Sequence, residues 1–372
     1  MSNRVAVIIL CVAVVLVAVL VLAGFQRAKA TQDRLKDLYS GDPSRVVDAV
    51  RDLRKRGHAV ERRLIARADA PAVDVRLAVA ELLGDPRVGH AETAGPVLLD
   101  LLNDEDLGVR RKAAGAIGRL GLGTQEAVDA LLTRVKDLDE DLNVRIVCVR
   151  SLGALSRTKA VTGPAEGGGL VVPALLSIVE ERPPVPPEKP EEDATKAKKA
   201  EKVPDNEKLE PDDADVTAQL RVETVLTLGR ISTPEAALAV IRSMDDKVEV
   251  AAGVREAACI ALGDLNQAQT ILANGKLAAA AAEGILGALD DKDPNVRIQA
   301  AAVLSRIPTF MARDTDAQTA ERLGQLEKRI NTKIAALGQE LTERKGDPSY
   351  WVRRACRQAA KMRGVRIEQP EA

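Results

Sequence analysis

Aromatic side chains are nearly absent from this chain. One Trp, two Tyr and two Phe make up 1% of its 372 residues. Platforms that stack single-stranded bases need aromatic faces, so this composition argues against them. It also leaves core filling to small and branched aliphatic side chains, which suits closely stacked helices. A charge excess of either sign is missing too. Fifty-four Lys and Arg stand against 55 Asp and Glu, which leaves no bulk attraction for nucleic acid or another polyanion. Four cysteines are too few for a disulfide framework. The two histidines, His58 and His90, each stand without a neighbour at metal-ligand spacing. Gly167-Gly168-Gly169 has no lysine at phosphate-loop spacing and reads as a flexible turn. No catalytic, cofactor-binding or metal-binding residue is expected, and the chain reads as a non-enzyme.

One long apolar run is present. VAVIILCVAVVLVAVLVLAGF (5–25) holds twenty-one residues without a charge. As a helix rising about 1.5 Å per residue it spans roughly 30 Å, the thickness of a bilayer's hydrocarbon core. The competing reading is a cleaved signal peptide, since Ala28-Lys29-Ala30 fits a small-x-small cleavage site. The apolar core is longer than secretory signals use, and only Arg4 precedes it. The expectation is therefore an uncleaved single span at 5–25 after a short tail (1–4), with a juxtamembrane helix or linker over 26–41. Arg27, Lys29, Arg34 and Lys36 follow the span and favour a cytoplasmic main domain, with a periplasmic one as the alternative.

After the span one phrase recurs. With its arginine as position zero, the copies are Arg76, Arg110, Arg145, Arg221, Arg255, Arg297 and Arg353, preceded by Val in six cases and by Leu220 in one. Three positions on stand Val79, Ala113, Cys148, Thr224, Ala258, Ala300 and Cys356. Seven on stand Leu83, Ile117, Leu152, Leu228, Leu262, Leu304 and Ala360. These steps trace one face of an α-helix. Asp106, Asp141 and Asp293, four before their arginines, are placed to cap helix N-termini. Asp293-Pro294 and Asp347-Pro348 add proline suited to a first helical position. Between the copies lie second apolar helices at 95–102, 125–135, 171–179, 234–244 and 278–289. Neither helix of such a hairpin can bury its stripe alone, so neighbouring hairpins must stack. The fold class read from this is all-α, an α-solenoid of about seven hairpins.

Asp-x-x-Val-Arg followed by Ala-x-x-x-Leu-Gly, with Leu-Gly at 83–84, 152–153, 228–229 and 262–263, resembles the HEAT repeat. The likeness is to the bacterial subset similar to phycobilisome-lyase repeats, which sets the expected location at a bacterial inner membrane. The resemblance covers residues 42–182 and 216–365, with a tail at 366–372. It implies that arginine and aspartate pair along the stack, that the Val-Arg helices line the concave face, and that proteins are the partners. It also leaves a phycobilin-lyase-like enzyme or accessory as the alternative function. A HEAT-fold hydroxylase would want His-Glu pairs, but His58 and His90 are each followed by Ala.

Two segments interrupt the pattern. Residues 183–215 carry seven prolines and eleven acidic against six basic side chains, the composition of a disordered insertion. In the second, Leu323, Leu326, Ile330, Ile334, Leu337 and Leu341 form one apolar stripe on a long helix at about 316–344. That helix is read as an overlong hairpin arm, with self-association through it as the sharper alternative. The buried positions of the phrase include Cys148, Cys259 and Cys356, which are read as small core residues. Beside the buried stripe, Arg111, Lys112, Arg119, Arg150, Arg230, Arg306, Arg354 and Arg357 form the candidate partner-binding face. The whole reads as a membrane-anchored scaffold for protein–protein interaction.

Overall fold

A computed structural model describes residues 2–158, 161, 170–180, 217–267, 269–312, 315–339 and 346–367, with side chains from residue 13 onward. Among these residues there are sixteen α-helices, one short 3-10 turn and no strand. The chain divides into two compact units, Met1–Leu131 and Leu132–Ala372, each with its own core.

In the first unit α1 (Ser2–Asp37) runs unbroken from the apolar segment into the repeats. Its last turns bury Leu35 against α2 (Pro43–Lys55), with Leu38 buried just beyond, while Arg34 reaches Asp52 at 2.9 Å. The 26–41 segment is thus mostly helix. A 3-10 turn (Gly57–Val60) and α3 (Glu61–Ile65) follow, then α4 (Val73–Leu83), α5 (Ala91–Leu101) and α6 (Leu107–Leu120). The packing is in two rows: α2 on α4 on α6, and α3 on α5. The unit boundary falls inside α7 (Gln125–Lys136).

The second unit repeats that scheme. α8 (Leu142–Ala154), α10 (Ala218–Ile231), α12 (Ala252–Gln267), α14 (Pro294–Leu304) and α16 (Tyr350–Met362) carry the Val-Arg phrase and pack each on the next. α9 (Val171–Glu180), α11 (Pro234–Arg242), α13 (Gly275–Ala288) and α15 (Ala317–Gly338) form the other row, again each on the next. This is the two-layer helical stacking of armadillo- and HEAT-type solenoids. The residues three and seven after each repeat arginine are all buried, none more than 1% exposed.

Side-chain caps set where the helices begin. Asp106 accepts from the Val109 amide, Asp141 from Asn143 and Val144, and Asp293 from Asn295 with Pro294 in the first turn. One expectation fails. Pro348 is not a first helical residue, because Ser349 caps α16 through the Val352 amide. Asp347 is drawn away instead to Arg297.

The apolar stripe of α15 is consumed within its own unit. Leu323, Leu326, Ile330 and Ile334 are buried, and the helix packs on α13 and α16. That is the hairpin-arm reading. The 183–215 insertion, Gly167–Gly169 and Leu341 lie outside the described residues.

Candidate functional site

The arginine that aligns the repeats is a structural residue. In four copies it makes a two-pronged ion pair with an acid that precedes the next Val-Arg helix. Arg76 reaches Asp104 (2.7 and 2.9 Å), Arg221 reaches Glu249 (3.1 and 3.1 Å), Arg255 reaches Asp291 (2.6 and 2.9 Å) and Arg297 reaches Asp347 (2.7 and 3.1 Å). Each acid also accepts the backbone N–H two residues on, at Asp106, Ala251, Asp293 and Ser349. The third guanidinium nitrogen of the following arginine then donates to that acid's own backbone carbonyl: Arg110 to Asp104, Arg255 to Glu249, Arg297 to Asp291 and Arg353 to Asp347. Along Arg221, Arg255, Arg297 and Arg353 each rung is thereby tied to the next. The pairing acid stands six residues before its repeat's arginine, while the aspartate four before serves as the helix cap. The sequence pattern marked only the cap.

Two of these pairs are dry. Arg255 and Asp291 are 0% and 2% exposed at the side chain, and Arg221 and Glu249 are each 1%. Burial pushes the Asp291 carboxyl up, but the Arg255 and Asp293 hydrogen bonds more than offset it and hold it below the usual carboxylate range. The Asp104 carboxyl is held down against burial in the same way, mainly by Arg76.

The eight candidate cations divide into two sets. Lys112 pairs with Glu81 at 3.0 Å, and Glu81 also takes Arg54 at 2.9 Å. Arg150 pairs with Glu223, Arg357 donates to the Gly338 carbonyl at 2.8 Å, and Arg354 lies 5.6 Å over the Trp351 ring. Arg111, Arg119, Arg230 and Arg306 are exposed and meet no carboxylate among the described residues. Three of them share one register, nine residues after the repeat arginine. Each extends across the Leu-Gly glycine of the preceding Val-Arg helix. A Cβ built at Gly84, Gly153 or Gly263 would lie 3.0, 3.2 or 3.7 Å from the guanidinium of Arg119, Arg230 or Arg306. The glycine of the motif thus gives these arginines a bed to lie across. Clefts among the described residues are grooves between neighbouring helices. One of about 370 Å³ lies between α9 and α11, lined by Leu176, Val179, Leu238, Val248, Glu235 and Arg242.

One pairing escaped sequence reasoning. His58 and His90, read as solitary, are stacked with ring centroids 3.7 Å apart and planes 24° apart. Buried Glu61 sits beneath them, accepting from the His90 ring at 2.6 Å and from the His90 amide at 2.7 Å. A helical-period scan could not find this, because the histidines lie in a 3-10 turn and a loop joined only by the stacking of hairpins. The cysteines match expectation: Cys148, Cys259 and Cys356 are buried, and burial pushes each thiol up to about 12.

Residues 61–153 match the family described as HEAT repeats. No curated protein matches the chain. Among solved structures, a chain from Kap95p bound to RanGDP is similar at 13% identity over 91% of this chain, with a TM-score of 0.58. This chain spans 42% of that one, and at such identity the likeness shows the fold alone. An engineered protein is similar at 18% identity, covering 89% of this chain and 78% of its own (TM-score 0.46). The CpcE–CpcF complex of phycocyanin lyase from Nostoc sp. PCC7120 is similar at 19% identity, covering 80% and 93% (TM-score 0.39). Neither of the last two is close enough to carry an argument.

Proposed function

We propose, on HEAT repeats over residues 61–153 and the same helical-hairpin scheme on either side of them, that this chain is a membrane-anchored scaffold that docks a protein partner. The observation that carries the anchor is α1. It is one continuous helix, and its large aliphatic side chains from Val14 to Leu22 are 57–70% exposed, covered by no other described residue. Leaving that many branched side chains in water is unfavourable at about 25 cal/mol per Å² of apolar area, whereas a bilayer accepts them.

A cleaved signal peptide fits this geometry less well. Its cleavage site would fall after Ala30, inside the helix and where the repeats already grip it. Arg56 donates to the Arg27 carbonyl at 3.3 Å, the Thr31 hydroxyl to the same carbonyl at 2.8 Å, and Thr31 is buried.

Support for the docking role comes from the exposed arginines and the helix-lined grooves. Kap95p, a chain of like fold, binds RanGDP, as the name of that structure states. Repeat surfaces suit this work because each hairpin adds side chains to a continuous face without needing a closed pocket. The reading is non-enzymatic, and the partner it favours presents acidic side chains to Arg230 and Arg306.

Alkaline carbonate washing of membranes tests the anchor. The account expects full-length protein in the pellet with its original N-terminus. Release into the supernatant, or a mature N-terminus at Thr31, contradicts it. For docking, the full chain is cross-linked in membranes, extracted in detergent, and its partners identified. Arg230→Glu with Arg306→Glu should reduce the cross-linked partner at least several-fold without lowering the melting temperature. Equal capture by the variant contradicts the role given to these arginines.

A further inference from the structure

Neither the repeat architecture nor the docking surface accounts for the His58–Glu61–His90 cluster. Glu61 alone would tie the loop to α3, since it accepts the His90 amide and the Thr93 hydroxyl. The two imidazoles are held as well, each by its Nδ1. The His58 Nδ1 lies 3.0 Å from the Val88 carbonyl oxygen, which can only accept, so this nitrogen carries the proton. The His90 Nδ1 lies 2.6 Å from the Glu61 carboxylate and donates likewise. In each neutral ring the lone pair is therefore on Nε2. Holding Nδ1–H with a carbonyl or a carboxylate is how metal-binding histidines are fixed in tautomer and made more basic.

We propose that His58 and His90 bind a borderline divalent transition cation, Zn²⁺ in the first instance, through their two Nε2 atoms, with Glu61 as the outer carboxylate that orients His90. A ring nitrogen of each histidine and a carboxylate oxygen of Glu61 lie within 4.8 Å of one another, which brings the two imidazoles close enough for one ion to reach both. Metal–imidazole bonds of about 2.0–2.1 Å need the two nitrogens within roughly 4 Å. The rings are stacked in near-parallel planes, so His58 must turn out of the stack and give up its Val88 bond for both lone pairs to meet the ion. Glu61 keeps His90 oriented meanwhile. Both histidines are exposed, which leaves a solvent-facing side for that rotation. Imidazole nitrogen favours Zn²⁺, Ni²⁺ or Cu²⁺ over Mg²⁺ or Ca²⁺, which prefer oxygen. Water fills the remaining positions, leaving the coordination shell open to an incoming ligand. The bound ion would clamp the 57–60 turn to the loop that starts α5, two segments now held by Glu61.

The chain makes the test unusually clean. His58 and His90 are its only histidines, and the described cysteines are buried with thiols at about 12, so they do not compete. Full-length protein in detergent, with any affinity tag removed and EDTA dialysed away, is titrated calorimetrically with ZnCl₂. One equivalent should bind, and His58→Gln or His90→Gln should each weaken binding by about tenfold or more. Zn²⁺ should raise the melting temperature of the parent chain but not of the double variant. Should a variant not fold by circular dichroism, ¹⁵N imidazole shifts of the parent decide: both Nε2 resonances move on adding ZnCl₂ if they ligate. Absence of a one-to-one event, equal affinity in the folded variants, or Nε2 shifts unmoved by zinc would overturn the proposal.

Discussion

Arg255 and Asp291 are sealed from water on both sides of their ion pair, and that decides what losing either one costs. Removing one partner of a buried pair leaves the other charge uncompensated, which typically costs about 3–5 kcal/mol. Arg255→Ala should fall in that range by chemical denaturation. Arg322→Ala breaks a pair with Glu283 whose side chains are 60% and 46% exposed, and it should cost less than about 1 kcal/mol. Equal losses for the two variants would mean that the ladder is ornamental. Ladder carboxylates, together with Asp85, set an acid limit. Asp85 is held down to about 2, chiefly by hydrogen bonds from Arg87, and Asp104 and Asp291 are also held below the usual value. A carboxyl with a lowered folded pKa stabilises the fold fully above its unfolded value of about 3.9, and that stabilisation disappears as pH falls through the folded value. The melting temperature should therefore be flat down to about pH 5 and drop steeply between about pH 4 and 2. A flat profile to pH 2 would contradict the pairing.

At the scale of the helix, sequence marked the starts and buried faces well, because both are local. A capping carboxylate and a stripe with helical period need no knowledge of the neighbouring hairpin. What it did not mark depends on that neighbour. Asp347 sits before a proline exactly as a cap would, yet Arg297 of the preceding hairpin claims it and Ser349 takes over the cap. The Leu-Gly glycines likewise have a meaning only in the stack. A Cβ on Gly84 would come within 2.4 Å of the Ala116 Cβ, and one on Gly229 within 2.7 Å of the Ala261 Cβ. These glycines let adjacent Val-Arg helices approach closely. Gly84→Ala should accordingly destabilise the protein, while Gly324→Ala, with nothing within 4 Å of the new methyl, should stabilise α15 by about 0.5–1 kcal/mol. The same sign for both substitutions in thermal melts would refute the close-approach role. Of the candidate cations, their exposure beside the buried stripe was readable from periodicity. Which ones a carboxylate would neutralise was not, since Glu81 and Glu223 act across helices.

At the scale of the whole chain, the repeat phrase gave the architecture because it recurs seven times, and one strong period outweighs many weak local signals. The histidine pair stayed hidden because its two members come together only through hairpin stacking. The central claim is that each unit is an array in which hairpins touch only their neighbours. Such an array has no single core to lose. Leu262 is fully buried on α12, which packs on α10, α11, α13 and α14. Leu262→Ala should cost about 2–5 kcal/mol through the cavity it leaves. Amide hydrogen exchange, followed by mass spectrometry on the full chain with and without that substitution, tests the claim most directly. Protection should fall first in α10 to α14, while helices at residues 43–101 keep theirs. A uniform loss of protection in every helix would contradict the account, because it would reveal one cooperative globular core.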